Sequence, residues 1–156
     1  MNNFDKFYNK ALHFLSFRPR SEKEIRDYLK KNKSDEETTL LIIEKLKDYK
    51  FLDDLEFSRR WLEQRTKINL KSKRIIELEL KQKGITKEII DEIKIKANDD
   101  KEIALKLAEK RFERFKNEPR QKQYEKMFRF LSSKGFDYDT IKQVVDRILG
   151  KEYNNK

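Results

Sequence analysis

Ile76-Glu77-Leu78-Glu79-Leu80-Lys81-Gln82-Lys83-Gly84-Ile85 decides how this chain folds, because its apolar positions return 51 residues later. Ile76, Leu80, Gly84, Ile90 and Ile93 map onto Met127, Leu131, Gly135, Ile141 and Val144. The same block opens 51 residues earlier, where Ser21, Ile25 and Leu29 match Ser72, Ile76 and Leu80. Beyond that point the first copy runs about one residue longer, and Leu40, Ile43 and Leu46 take the places of Ile90, Ile93 and the positions after them. A fixed period of this size marks an array of one supersecondary unit. Such arrays present surfaces more often than catalytic pockets, so the repeat points to binding.

Composition agrees. Of 156 residues 44% are charged and 36% hydrophobic, with three Gly and two Pro, which suits long helices with thin apolar stripes. Lys and Arg number 39 against 29 acids, a net charge of +10. That balance favours an anionic partner, nucleic acid being the commonest. A chain rich in Lys, Asn, Ile and Phe also fits an AT-rich genome, in which case much of the lysine is solvated decoration. The absence of cysteine excludes disulfides, thiolate metal sites and a cysteine nucleophile. No apolar run approaches a membrane span, and Met1-Asn2-Asn3-Phe4-Asp5-Lys6 is too polar for a secretory signal peptide. A soluble, cytoplasmic protein is expected.

Each unit reads as three helices. Ser21-Glu22-Lys23-Glu24, Ser34-Asp35-Glu36-Glu37, Asp53-Asp54-Leu55-Glu56 and Asp99-Asp100-Lys101-Glu102 each place a capping residue three positions before Glu. Thr86 and Asp137 are simpler caps, and Pro19 and Pro119 stand just before second helices. Gly84 and Gly135 come just after second helices, where a left-handed residue is wanted, and the first copy has Lys33 there. The spacing predicts helices at 4–17, 21–32 and 35–50, then 54–68, 72–83 and 87–97, then 100–117, 120–134 and 138–149. The predicted fold is all-α: an elongated, curved array of three tandem three-helix, helix-turn-helix-like repeats at 1–52, 53–98 and 99–150, with a polar tail at 151–156.

Little in the chain suggests catalysis. His13, the one histidine, lies between Leu12 and Phe14 with no nucleophile or metal-ligand pattern around it. Asp53-Asp54 resembles a metal carboxylate pair but stands at a helix start, where capping explains it. No phosphate-cradling Gly loop exists. No enzyme activity, metal or cofactor is expected.

The bases are less evenly spread. Arg59, Arg60, Arg65, Lys67, Lys71, Lys73, Arg74, Lys81, Lys83 and Lys87 face only Glu63, Glu77 and Glu79 across 59–87, a local excess of +7. Arg65, Lys67, Lys71, Lys73 and Arg74 crowd one inter-helix turn, a geometry suited to several phosphates at once. Across 101–134, eleven bases stand against five acids, with Lys110, Arg111, Arg114, Arg120 and Lys122 as further candidates for contact with DNA or a filament. Phe51, Phe57, Trp61, Phe112, Phe115, Phe128, Phe130 and Phe136 could stack on bases, but their helical spacing beside aliphatics favours core packing.

These residues resemble the RecX family of recombinase regulators from about Ala11 to Leu149. Phe51-Leu52-Asp53-Asp54 looks like the family's aromatic-Leu-Asp-Asp signature, followed by Phe57, Trp61 and Arg65. Ile76, Glu79-Leu80 and Lys83-Gly84-Ile85 resemble its Ile-x-x-Glu-Leu-x-x-Lys-Gly-Ile segment. Arg129-Phe130-Leu131 and Lys134-Gly135-Phe136 are similar to its closing pattern. The chain departs from the family at Leu70-Lys71-Ser72-Lys73, where Gly-x-Gly-Pro is common, and at Ile75, where a base is common. The resemblance implies a non-enzymatic regulator that binds RecA, its nucleoprotein filament and DNA, single- or double-stranded. It implies that recombinase and ATPase activity are restrained in recombination and repair. A monomer is the simpler expectation for an array.

Two other readings stand beside it. One is a tandem helix-turn-helix DNA-binding protein, transcriptional or architectural, although Myb-like units carry recurring tryptophans and this chain has only Trp61. The other is a solenoid scaffold whose charge is incidental.

Overall fold

The protein is described by a computed structural model covering residues 2–93, 95 and 98–150. Among the described residues all regular structure is helical: α1 (Asn3–Phe17), α2 (Glu22–Lys31), α3 (Glu36–Asp48), α4 (Asp54–Lys67), α5 (Lys73–Gln82), α6 (Lys87–Glu92), α7 (Asn98–Phe112), α8 (Arg120–Ser133) and α9 (Tyr138–Leu149). The 51-residue repeat is written into the core. Ile25 and Leu29 of α2, Ile76 and Leu80 of α5, and Met127 and Leu131 of α8 are each at most 1% exposed. Each pair is four residues apart, so it forms one apolar stripe on one helix face.

The caps match the sequence with one shift. Ser21 makes a full capping box with Glu24. Asp53 accepts from the N–H groups of Leu55 and Glu56, Thr86 from Ile89 and Asp137 from Thr140. At α3 the cap is Asp35, which accepts from the Thr38 N–H at 2.7 Å, and not Ser34. The expected Asp99 side-chain cap, the expected helix at 94, 96 and 97 and the tail at 151–156 lie outside the described residues.

Helix α7 stops at Phe112, five residues before the predicted 117. Tight turns succeed it, in which the N–H groups of Arg114, Phe115 and Glu118 reach carbonyls three residues back. Pro119 disfavours helix at the residue before it. The Gln123 side-chain amide also donates to the carbonyls of Phe115 and Lys116, at 3.4 and 2.8 Å.

Packing divides the chain into two compact units, Met1–Trp61 with Glu79–Lys94 and Leu62–Leu78 with Ile95–Lys156, so α4 and α5 each contribute to both. In the first unit α1, α2 and α3 pack on one another around Ala11, Ile25, Leu29, Ile42 and Leu46. In the second, α7, α8 and α9 enclose Ala104, Ala108, Met127, Leu131, Ile141 and Val144, and Leu70 packs against that core.

Of the aromatics whose spacing predicts core packing, Phe57, Phe115 and Phe136 are buried and Trp61, Phe112, Phe128 and Phe130 are half-buried, but Phe51 is not buried. It is 55% exposed and stacks on Tyr49, while Leu52 takes the buried place. The reason is local: Lys50 adopts φ +60° and the Phe51 N–H returns to the Leu46 carbonyl at 2.9 Å, which turns the chain outward at the end of α3. His13 lies edge-on to Phe17 with ring centres 5.0 Å apart.

Candidate nucleic-acid interface

The turn between α4 and α5 is the most basic segment of the chain, and hydrogen bonds close its backbone. The N–H groups of Ile68 and Asn69 both donate to the Gln64 carbonyl, at 2.9 and 3.0 Å, and that of Lys71 donates to Arg65 at 3.0 Å. Ser72, fully buried, accepts from the Ile75 N–H at 3.3 Å. The first N–H of α5, on Lys73, donates to the Asp100 carboxylate of α7 at 2.7 Å. These bonds satisfy the free donors of a helix start and fix the turn against the α7–α9 bundle.

Arg65, Lys67, Lys71, Lys73 and Arg74 are therefore brought together at one rigid turn. Lys67 and Arg74 are exposed, while Arg65, Lys71 and Lys73 are half-buried. Lys67 pairs with Glu63 at 2.9 Å and Lys73 with Glu77 at 3.9 Å. Both pairs are solvent-accessible, so phosphate oxygens can replace the carboxylates at small cost.

A second basic surface is a cleft of about 460 Å³ between α7 and α8. Arg111, Arg114, Lys126 and Arg129 line it, with Phe115, Phe130 and Ser133. The Arg111 guanidinium lies over the Phe130 ring, 4.6 Å from its centre. No acid lines the cleft, although Glu118 pairs with Lys126 beside it.

Lys126 and Arg129 belong to the basic excess across 101–134 without standing out in it, but helical spacing places them together. Positions 126, 129, 130 and 133 share one face of α8, while Arg111 lies in the last turn of α7 and Arg114 and Phe115 in the tight turns just after it. Arg120 and Lys122, also candidates from the sequence, do not line the cleft, and Lys122 pairs with Glu125 at 3.8 Å.

The other candidates are dispersed. Arg59, Lys81 and Lys110 are exposed on α4, α5 and α7. Arg60 pairs with Glu56 at 3.1 Å. Lys83 is used within the first unit: its Nζ stands 3.4 Å from Glu24 Oε2 and 5.6 Å from the centre of the Trp61 ring, whose N–H donates to Glu79 at 2.8 Å.

Glu24 gathers charge from several sides. Burial pushes its pKa up, but the hydrogen bonds from Arg18 and the Ser21 N–H, with the charges of Arg18 and Lys83, outweigh burial and hold the carboxyl below its usual value. Burial, reinforced by the like charge of Arg18, lowers the pKa of Arg20, whose guanidinium stacks 3.7 Å from the centre of Phe14.

The aspartate pair divides its labour: Asp53 caps α4, whereas Asp54 accepts from the Glu22 N–H at 2.8 Å. Burial raises the pKa of Asp54 despite that bond. Among the described residues no three metal-ligating side chains converge, and no helix is long and apolar enough to cross a membrane.

Known proteins share this organisation. Residues 8–46, 53–93 and 98–145 match, in order, the first, second and third three-helix domains of RecX. The regulatory protein RecX of Clostridioides difficile strain 630 is 36% identical over 146 residues, covering 92% of this chain and 68% of that protein. That of Listeria monocytogenes serotype 4a is 38% identical over 139 residues, 88% of this chain. The chain spans 52%, about half, of that relative's length. A crystal structure of RecX from Lactobacillus salivarius superposes with a TM-score of 0.77 at 29% identity, covering 92% of this chain and 95% of that one.

Proposed function

The chain belongs to the RecX family, and on that premise we propose that it is a non-enzymatic regulator that binds RecA and its nucleoprotein filament. Binding restrains strand exchange and the recombination-linked ATPase. The repeats at 1–52, 53–98 and 99–150 are the working units of this reading. The observation that carries it is the α4–α5 turn, where Arg65, Lys67, Lys71, Lys73 and Arg74 stand with no acid between Glu63 and Glu77. Such a surface binds a polyphosphate backbone with little regard to sequence, as a filament regulator must. Inhibition then arises from differential affinity, because a ligand shifts an assembly only by preferring one of its states.

The test is a titration of this protein into preformed RecA–single-strand filaments, reading ATP hydrolysis and strand exchange. Both are expected to fall as protein is added, and unchanged activity at micromolar protein sinks the proposal. The helix-turn-helix layout keeps one second reading alive, a transcriptional or architectural DNA-binding protein. Tight binding to one short duplex sequence, with RecA unaffected, is the result that would favour it.

A further inference from the structure

Ile68 is the most exposed large apolar residue among those described, at 74%. Single exposed apolar side chains are ordinary, but the setting of this one is not. It sits in a turn closed by the Gln64 and Arg65 carbonyls, and from 64 to 76 its neighbours include five bases and no acid. The residues around it serve as anchors: Leu70 packs on the α7–α9 core and Ser72 is fully buried. Ile68 is the apolar side chain of the turn that the fold does not use.

We propose that Ile68 is a wedge that enters between adjacent bases of bound DNA and partly unstacks them. The basic side chains of the turn hold phosphates on either side of the step. The inference rests on the DNA-binding reading above, since without phosphate contacts the wedge has nothing to enter. Aliphatic side chains on basic elements do this when they meet a base step, and the unstacking cost is offset by the extra contact. Two features suit Ile68 to the task. A β-branched side chain is stiff about its first torsion, and the closed turn leaves little to order on binding. A protein partner fits less well, because charged residues are depleted at the centre of protein interfaces and five bases stand within six residues of this side chain along the turn.

The test uses the intact protein with 2-aminopurine oligonucleotides, single-stranded and duplex, at low salt. Wild type should raise the probe's fluorescence at least about twofold as stacking is lost. Ile68→Ala should abolish that rise while weakening binding less than about tenfold and leaving the salt slope unchanged, because it removes no phosphate contact. Ile68→Leu should keep the rise. Ile68 is exposed, so all variants should retain the helical circular dichroism of wild type.

A rise that survives Ile68→Ala overturns the wedge. So does wild-type binding without any rise, which leaves the DNA-binding reading intact. Absence of DNA binding by wild type removes both. Ile68→Ala that leaves the DNA signals unchanged but weakens the effect on RecA filaments assigns the side chain to the protein partner and also overturns the wedge.

Discussion

The Asp54 carboxylate in α4 accepts the backbone N–H of Glu22, the first residue of α2, at 2.8 Å. The same device recurs one repeat later, where Asp100 in α7 accepts the N–H of Lys73, the first residue of α5, at 2.7 Å. In both cases the first helix of one repeat caps the second helix of the repeat before it. The donors Glu22 and Lys73 keep the 51-residue period of the cores, while the acceptors Asp54 and Asp100 are 46 residues apart. A helix N-terminus offers unpaired donors and a positive dipole end, and a carboxylate satisfies both.

Asp54→Ala should cost about 1–2 kcal/mol in urea unfolding, because the Glu22 N–H loses its partner. Asp54→Asn keeps an acceptor and should be much milder. The folded pKa of Asp54 lies above the ordinary 3.8. Ionisation therefore costs the fold stability as pH rises from 3.8 through the folded value. The asparagine variant is spared that cost and should gain on wild type across that window. A constant difference through the window would show that burial does not burden this carboxylate.

Glu24 carries the opposite sign. Its folded pKa is held below 4.5, so its contribution is present above 4.5 and is lost as pH falls through the folded value. Glu24→Gln should lose about 1–3 kcal/mol at neutral pH, since hydrogen bonds to a charged group are the stronger kind. The deficit should shrink on acidification. Thermal melts at pH 7 and at acid pH measure both.

The residues after the second helices are expected to respond unequally. A Cβ on Gly135, at φ +89°, would stand 2.4 Å from Ile75 Cγ1 and 2.7 Å from Ser72 Oγ. On Gly84 it would meet Lys23 Cβ at 2.6 Å. Lys33 holds the corresponding place in the first copy at φ +70° and is exposed. Gly135→Ala should destabilise by more than the roughly 1–2 kcal/mol of left-handed strain alone. Lys33→Gly should stabilise by about 0.5–1 kcal/mol, because it relieves the strain of a left-handed residue. Denaturant midpoints check the order, and a destabilised Lys33→Gly would contradict it.

Charge reversal at Arg65, Lys67, Lys71 and Arg74 should weaken DNA binding almost uniformly across sequences. Neutralising any one of them should reduce the salt slope by about 1. Lys126→Ala and Arg129→Ala probe the α7–α8 cleft in the same way. Lys83→Ala should instead lower stability and leave the slope alone, because Lys83 is engaged with Glu24 and Trp61. Affinity measured against salt concentration separates the two behaviours.

Helices, caps and repeat were legible in the residues because their causes are local. A stripe such as Ile76 and Leu80 arises from helical spacing, and Asp53, Thr86 and Asp137 bond donors two or three positions away. The family was legible as well, since its signature sits on those same turns. Contacts distant along the chain were not. Nothing near Asp54 or Asp100 marks its partner 32 or 27 residues back, and nothing near Lys83 marks Glu24 at 59. Lys126 and Arg129 join Arg111 and Arg114 only because α7 and α8 pack side by side. Local bonding and periodicity act over one or two helical turns. Which charge becomes a staple, a packing partner or a free surface is settled when the helices meet.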